Sequence, residues 1–207
     1  MTGTGVASFD ASLRGTPTRM VRSDGTEIVL AVTRWQEPAA GEDSWLLDRC
    51  TGPALDLGCG PGRLVAALRA RGVPALGVDT SHAAARHCPS AVLRRDLFAP
   101  LPGEGRWANA LLADGNIGIG GDPGRLLRRV RDLLRPGGTA LVETDPAPDT
   151  HWTGTARLHT PAGAGAEIPW AALGLRMLAG VAAAAGLTVT AQHAGARSFA
   201  QLTRVGA

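Results

Sequence analysis

The residues with the most chemical content are the run Leu55-Asp-Leu-Gly-Cys-Gly-Pro-Gly-Arg63. The apolar stretch Pro53 to Leu57 reads as a short buried strand. It breaks into glycines at 58, 60 and 62 before a helix-like stretch begins. Glycines at alternate positions open backbone conformations closed to other residues and let a ligand approach without a Cβ in the way. A strand, a tight turn and a helix start of this kind suit a nucleoside-bearing ligand, and the spacing decides which. A dinucleotide fingerprint, G-x-G-x-x-G, would need glycine at position 63 or 65, where Arg63 and Val65 stand. A phosphate-cradling loop would need Gly-Lys-Ser/Thr, and the chain contains no lysine.

What remains is G-x-G-x-G preceded by the acidic Asp56. With it the chain resembles the class I S-adenosylmethionine-dependent methyltransferases, of the small-molecule type (methyltransferase domain 11/12/25-like). Their first motif is typically hydrophobic, Asp or Glu, hydrophobic, then Gly-x-Gly-x-Gly. The resemblance implies that Asp56, Gly58, Cys59, Gly60 and Gly62 form the turn under the methionine and ribose parts of the cofactor S-adenosyl-L-methionine. Further stations fall in order. Pro74-Ala-Leu-Gly-Val-Asp79 reads as a second strand ending in a carboxylate, followed by Thr80. Such a carboxylate accepts both ribose hydroxyls in charge-assisted hydrogen bonds. Ala91-Val-Leu-Arg-Arg-Asp96-Leu97 reads as a third strand, and the resemblance implies that Asp96 takes the adenine amino group beside the Leu97 amide. Trp107 to Ala113 is a strand ending at Asp114. Leu134-Arg-Pro-Gly-Gly-Thr-Ala-Leu-Val-Glu143 is a helix end, a turn and a fifth strand, a pattern common in this family. Taken singly, each station has a plainer reading: Asp79 as a helix N-cap in competition with Ser81, Asp96 as a solvated turn residue, the glycines as an empty turn. Their coincidence in order and spacing favours the cofactor.

The acceptor side is less specific. Asp114-Gly-Asn116-Ile117 lies where amino-directed methyltransferases of nucleic acids often carry Asn/Asp-Pro-Pro-aromatic, and the departure counts against base methylation. Asp114 and Asn116 are placed against the cofactor's methionine end or the acceptor. Asp114 and His151 are the catalytic candidates, and no metal ligand set is read. Asp122 reads as an N-cap with Pro123 at the first helical position. His151, Arg157 and His159 are the polar groups of a long Pro/Gly/Thr-rich stretch, Asp145 to Pro169, expected to be a lid over the carboxyl ends of the strands. Trp35, Trp152 and Trp170 either wall an apolar acceptor pocket or belong to the core. The chain has no tyrosine to serve as base. The chemistry expected is attack of an acceptor atom on the sulfonium methyl in line with the departing sulfur. Orientation can supply about 7 to 11 kcal/mol of barrier lowering, and a general base matters only for an attacking atom with a proton of high pKa.

Periodicity supplies the elements that must hold these groups. Helices are expected near 42–50, 62–71, 81–87, 122–134 and 170–185, and strands near 53–57, 74–79, 91–94, 107–113, 138–144, 187–193 and 198–204. Val21 to Trp35 reads as a hairpin across Asp24-Gly25, and residues 1 to 20 read as loose. Alternating strands and helices give an α/β fold, a three-layer, doubly wound, mostly parallel seven-stranded sheet. Ala194 to Arg197 is too short for a crossover, so the last two strands pair antiparallel. The organisation expected is an N-terminal segment, 1–44, covering the acceptor site, and a methyltransferase domain, 45–207.

Composition excludes more than it assigns. The 207 residues carry a formal net charge of +3, mild for the length, and the basic stretch Arg125 to Arg135 alternates with leucines at helical spacing, a solvated helix face. No aromatic-interleaved basic patch appears, so nucleic acid is not expected as a partner. Three cysteines, Cys50, Cys59 and Cys88, offer neither a disulfide framework nor zinc spacing. With no signal-peptide pattern and no membrane span, a cytoplasmic location is expected. The function expected is methyl transfer to a small-molecule acceptor. The alternatives are a non-catalytic S-adenosylmethionine-binding protein and an RNA or protein methyltransferase.

Overall fold

The structure is a computed structural model and describes residues 6–84, 86 and 89–206. The chain opens with helix α1 (Val6–Leu13), strands β1 (Arg19–Arg22) and β2 (Glu27–Val29), and short helices α2 (Val32–Gln36) and α3 (Asp43–Leu47). Strand β3 (Ala54–Leu57), helix α4 (Arg63–Ala70) and strands β4 (Ala75–Asp79), β5 (Val92–Arg94) and β6 (Trp107–Leu112) follow. Then come α5 (Pro123–Leu133), β7 (Leu134–Thr144), β8 (His151–Thr160), β9 (Gly163–Leu173), α6 (Leu175–Ala184), β10 (Leu187–Ala194) and β11 (Ser198–Arg204).

Seven strands form one sheet in the order β10-β11-β7-β6-β3-β4-β5. The pairs among β3 to β7 are parallel, and β11 runs antiparallel to both β7 and β10. This is the Rossmann-like methyltransferase arrangement expected from the strand and loop lengths. Both faces are covered, which is why these strands read as near-continuous apolar runs. Leu55, Leu57, Ala110, Leu112, Ala140 and Val142 point to the side of α5 and α6, against Leu126, Leu127, Val130, Leu133 and Leu178. Ala54, Leu111 and Leu141 point the other way, against Leu46 and Leu47 of α3 and Leu64, Val65 and Leu68 of α4. Helix α5 starts as its sequence dictates, with the Asp122 carboxylate accepting the Arg125 amide at 2.8 Å and Pro123 in the first turn.

The structure corrects five expectations. The long stretch after β7 is not an irregular lid: β8 and β9 form a hairpin, and β8 pairs with β1, Met20 opposite Leu158, to give a second sheet in the order β2-β1-β8-β9. Pro169 and the Gly/Ala content of β9 hid this hairpin, whose further partner, β1, comes from the far end of the chain. For the same reason residues 170–173, expected to open a helix, belong to β9. Helix α6 starts only after Gly174, where a Cβ would collide with the Ala147 and Pro148 carbonyls. Within 81–87 the described residues form turns rather than a helix, residues 85 and 87 lying outside the description along with Cys88. Residues 6–13 are helical rather than loose, and the Val21 to Trp35 hairpin is confined to β1 and β2, with α2 after it. Among the described residues no helix is long and apolar enough to cross a membrane.

The second sheet is a roof. Its inner face buries Met20, Ala156, Leu158 and Ile168, joined by Phe9 and Trp170. Strand β9 sits directly on the segment 116–121 that leaves β6, where a Cβ on Gly118 would strike the Ala171 carbonyl and the Trp170 indole. The roof therefore covers the carboxyl ends of the central strands.

Candidate active site

The glycine turn has the backbone its sequence requires. Gly58, Gly60 and Gly62 have φ of +77°, +51° and +88°. The Gly58 and Cys59 amides donate to the Val78 carbonyl at 2.8 and 3.1 Å, hooking the turn onto β4. Cys59 is buried in the space that Gly77 leaves: a Cβ on Gly77 would lie 2.5 Å from the Cys59 Sγ. Asn116 straps the turn from above, its Nδ2 donating to the Leu57 and Gly58 carbonyls at 2.9 Å each.

Asp79 ends β4 beside the turn. Its carboxylate accepts the Gly60 amide at 2.9 Å and the Ser81 amide at 2.8 Å. Burial pushes this carboxyl up, and the amides of Ser81, Gly60 and Thr80 pull the other way. Thr80 itself is exposed. Asp96 is exposed and accepts the Phe98 amide at 2.9 Å, so its plainer role, closing a turn, is filled while one oxygen stays open. Leu97 is buried, and its carbonyl accepts Arg129 Nε at 2.8 Å.

Asp56 lies inside β3 and is 2% exposed. Burial pushes its carboxyl from 3.8 up to about 7, opposed by Arg63 and reinforced by Asp114, Asp79 and Asp43. The folded state then holds a proton that the unfolded state has released, so this group's contribution to stability falls as pH rises from about 4 to about 7. Asp56→Asn should remove a stability slope of about 1.4 kcal/mol per pH unit in that window. Urea denaturation of both proteins at a series of pH values checks it, and parallel stability curves would contradict it.

The densest electrostatics surround Asp114, the one described non-glycine residue with positive φ, +55°. Its carboxylate takes Arg63 Nη2 at 2.7 Å, Arg34 Nη2 at 2.5 Å and Arg197 Nη2 at 3.5 Å. Its amide donates to Glu143 at 2.5 Å. Arg197 grips Glu143 through Nε at 2.9 Å and Nη2 at 2.5 Å. Asp43 in turn pairs with Arg63 and, at 2.5 Å, with Arg197. Burial works to raise the Asp114 pKa, but Arg63, Arg34 and Arg197 outweigh it and hold the carboxyl below its ordinary value. Asp114 is therefore held ionised with both oxygens in ion pairs. Its place is as a charged anchor at the end of β6.

His151, the other catalytic candidate, lies apart from the glycine turn. It lines an open groove of about 540 Å³ with Asp122, Pro123, Gly124 and Val181, bordered by no residue of the glycine turn. Arg157 pairs with Glu167 at 2.9 Å and, with His159, edges a separate groove of about 200 Å³ on the roof. The polar residues expected on a mobile lid are thus fixed by strand pairing to other surfaces.

The N-terminal segment, expected over the acceptor opening, also touches the glycine turn. A Cβ on Gly60 would lie 3.0 Å from Leu13 Cδ2, and Asp10 accepts the Ser81 hydroxyl. Trp35 is buried with Leu13, Val32 and Ala83, and Arg86 donates to Gln36 at 3.2 Å. Helices α1 and α2 thus run across the edge from Asp114 to the segment after β4. Arg34, Asp43, Arg63, Glu143 and Arg197 are site residues that sequence reasoning missed. Arg63 follows the third glycine and Glu143 ends an apolar strand, and both positions could have flagged them. Arg197, in a three-residue turn between β10 and β11, carries no such signal. Among the described residues no cluster of three metal-ligating side chains occurs.

A family model described as a methyltransferase domain matches residues 44–192. The chain belongs to the S-adenosylmethionine-dependent methyltransferases. No curated protein sequence matches it. A methyltransferase from Bacteroides fragilis, solved with S-adenosylhomocysteine, is similar in fold with a TM-score of 0.77 and 19% identity, over 96% of this chain and 93% of that one. The 1,6-didemethyltoxoflavin-N1-methyltransferase of Burkholderia thailandensis gives 0.57 at 20% identity, over 74% and 71%. An amino pentose methyltransferase from Micromonospora echinaspora, solved with S-adenosylmethionine, gives 0.59 at 18%, over 84% and 95%. The cofactor of this methyltransferase is S-adenosylmethionine, and its glycine turn, free of Cβ atoms and flanked by Asp79, fits that molecule.

Proposed function

We propose that this methyltransferase transfers its methyl group to a small-molecule acceptor by in-line displacement, with the acceptor held between the carboxyl edge of the main sheet and the inner face of the roof. The observation that carries this reading is the roof itself. Sheet β2-β1-β8-β9, its apolar face packed with Phe9 and Trp170, closes over segment 116–121, and a covered edge of this kind suits a compact acceptor better than a polymer. The toxoflavin-precursor and amino pentose methyltransferases, of similar fold, support the same class of acceptor. In this reading residues 1–44 serve as site cover, 45–207 as the methyltransferase domain, and the protein works in the cytoplasm.

The residues divide the task. Gly58, Cys59, Gly60 and Gly62 would lie under the methionine and ribose, Asp79 with Thr80 would take the ribose hydroxyls, and Asp96 with the Leu97 amide would take the adenine edge. Asp56, Asp114 and Asn116 would fix the turn and the methionine end. The bound cofactor supplies an electrophilic methyl on a positive sulfur. The chain's own contribution is orientation, worth about 7 to 11 kcal/mol, and exclusion of water by the roof. With Asp114 locked by guanidinium groups, acceptors that need no base are favoured, such as a carboxylate, a thiolate or an unprotonated nitrogen.

Incubation with S-adenosylmethionine and a panel of small acceptors, read by mass spectrometry, should show one-methyl gains stoichiometric with S-adenosylhomocysteine. Transfer only to RNA or protein, or tight cofactor binding with no acceptor in any class, would overturn the small-molecule reading.

A further inference from the structure

We infer that Arg22 determines acceptor specificity, holding a carboxylate that the small-molecule acceptor carries apart from the atom it has methylated. The inference rests on the proposed seat of the acceptor between the roof and the carboxyl edge of the main sheet. Strand β1 sends Met20 to the inner face of the roof, and the two-residue period of a strand sends Arg22 to the same face. Its strand partner, Ala156, is buried on that face as well. There Arg22 reaches Asp145, the residue directly after β7, with Nη2 3.1 Å from Oδ2. The pair thus spans roof and main sheet at the strand ends where the acceptor is placed.

The guanidinium is held against a platform. Its Cζ lies 4.8 Å from the centre of the Trp152 ring, and that indole runs across Gly154, where a Cβ would come within 2.9 Å of it. Asp145 is fixed in turn, its Oδ1 accepting the Ala147 amide and the Thr150 hydroxyl at 3.0 Å each. Arg22 itself is under-used. Its side chain is 9% exposed, it spends one nitrogen on Asp145, and its Nε is buried with no partner among the described residues. An arginine that only tied the two sheets together would fill its donors, as Arg197 does on Glu143, Asp43 and Asp114. A buried N–H left unpaired is costly. A planar guanidinium stacked on an aromatic ring, with donors to spare, matches a planar carboxylate, which it takes through two parallel hydrogen bonds. A primary amide of the same shape cannot replace it, because one of its two polar atoms is itself a donor.

The test sets acids against their primary amides, with S-adenosylhomocysteine bound, by ligand-observed NMR titration at neutral pH. The probes are benzoate, phenylacetate and cinnamate against benzamide, phenylacetamide and cinnamamide. At least one acid should bind about ten- to a hundredfold tighter than its amide, the range for hydrogen bonds to a charged group. Arg22→Gln should lower the affinity for that acid by a similar factor and leave that for the amide unchanged, and Arg22→Lys should recover part of the loss. Equal loss for acid and amide would mean that Arg22 only ties the roof down, and the inference fails. Acids bound no better than amides by the unaltered protein overturn it without any variant, so a substitution that impairs folding does not shield it. The seat of the acceptor is judged separately by the methylation panel, where gains confined to compounds without a carboxylate would keep the small-molecule reading and reject the role of Arg22.

Discussion

Asp43→Ala should destabilise the protein by about 3 to 5 kcal/mol, the cost of removing one partner from a buried ion pair. Asp43 is 1% exposed and joins Arg63 to Arg197 through its two oxygens. It also accepts the Ala40 amide at 3.1 Å, so it organises the start of α3. Without it the buried Arg63 keeps only Asp114, and the half-buried Arg197 is left with Glu143 and Asp114. Against a typical total stability of about 5 to 15 kcal/mol, the loss is a large fraction of what holds the chain folded. Urea unfolding followed by tryptophan fluorescence measures it directly. A change below about 1 kcal/mol would mean that water reaches this network and that the pairs behave as surface pairs do.

Asp79→Ala should weaken S-adenosylhomocysteine binding by about 1.5 to 3 kcal/mol, the range for hydrogen bonds to a charged group. The carboxylate serves two clients. Its oxygens already accept the Gly60 and Ser81 amides, and each oxygen has a further lone pair for a ribose hydroxyl. The substitution therefore removes ligand contacts and also frees the amide at the middle of the glycine turn. Asp79→Asn separates the two effects, because the amide oxygen can still take one backbone N–H but carries no charge. Calorimetry for binding, alongside thermal unfolding without ligand, gives both numbers. An Asp79→Ala protein that melts lower yet binds with unchanged affinity would assign Asp79 to the turn alone.

The main sheet was legible because its strands are buried on both faces. Apolar runs such as Ala54–Leu57 and Trp107–Leu112 announce themselves whatever surrounds them, and the glycines mark where the first must end. The roof was not legible for the opposite reason. Its strands bury one face only, with Ala156 and Leu158 of β8 and Ile168 of β9 as a thin apolar line, and Gly, Ala and Pro169 weaken the pattern. Helix α1 was missed because its stabilising contacts, Leu13 on Gly60 and Phe9 on Trp170, lie far away in sequence. The same limit applies to the ion network. Arg63 was legible as a residue that breaks a dinucleotide fingerprint, but its partners Asp43 and Asp114 are set by how α3, α4 and β6 converge. Spacing along the chain records periodicity well and convergence poorly.

The pairing of β1 with β8 also fixes an order of events during synthesis. Arg19 must wait for His159 before it has a strand partner on that side, so a growing chain carries β1 and β2 as a two-stranded ribbon while most of the main sheet is still being made. Such a ribbon is marginal alone, and long-range pairings of this kind form late. The chamber over the cofactor-holding turn therefore cannot close until β8 has been made. A ribosome stalled between β7 and β8 would display Met20 and Ile28 to solvent on an unpaired edge, a surface inviting capture by a chaperone or by a second unfinished chain.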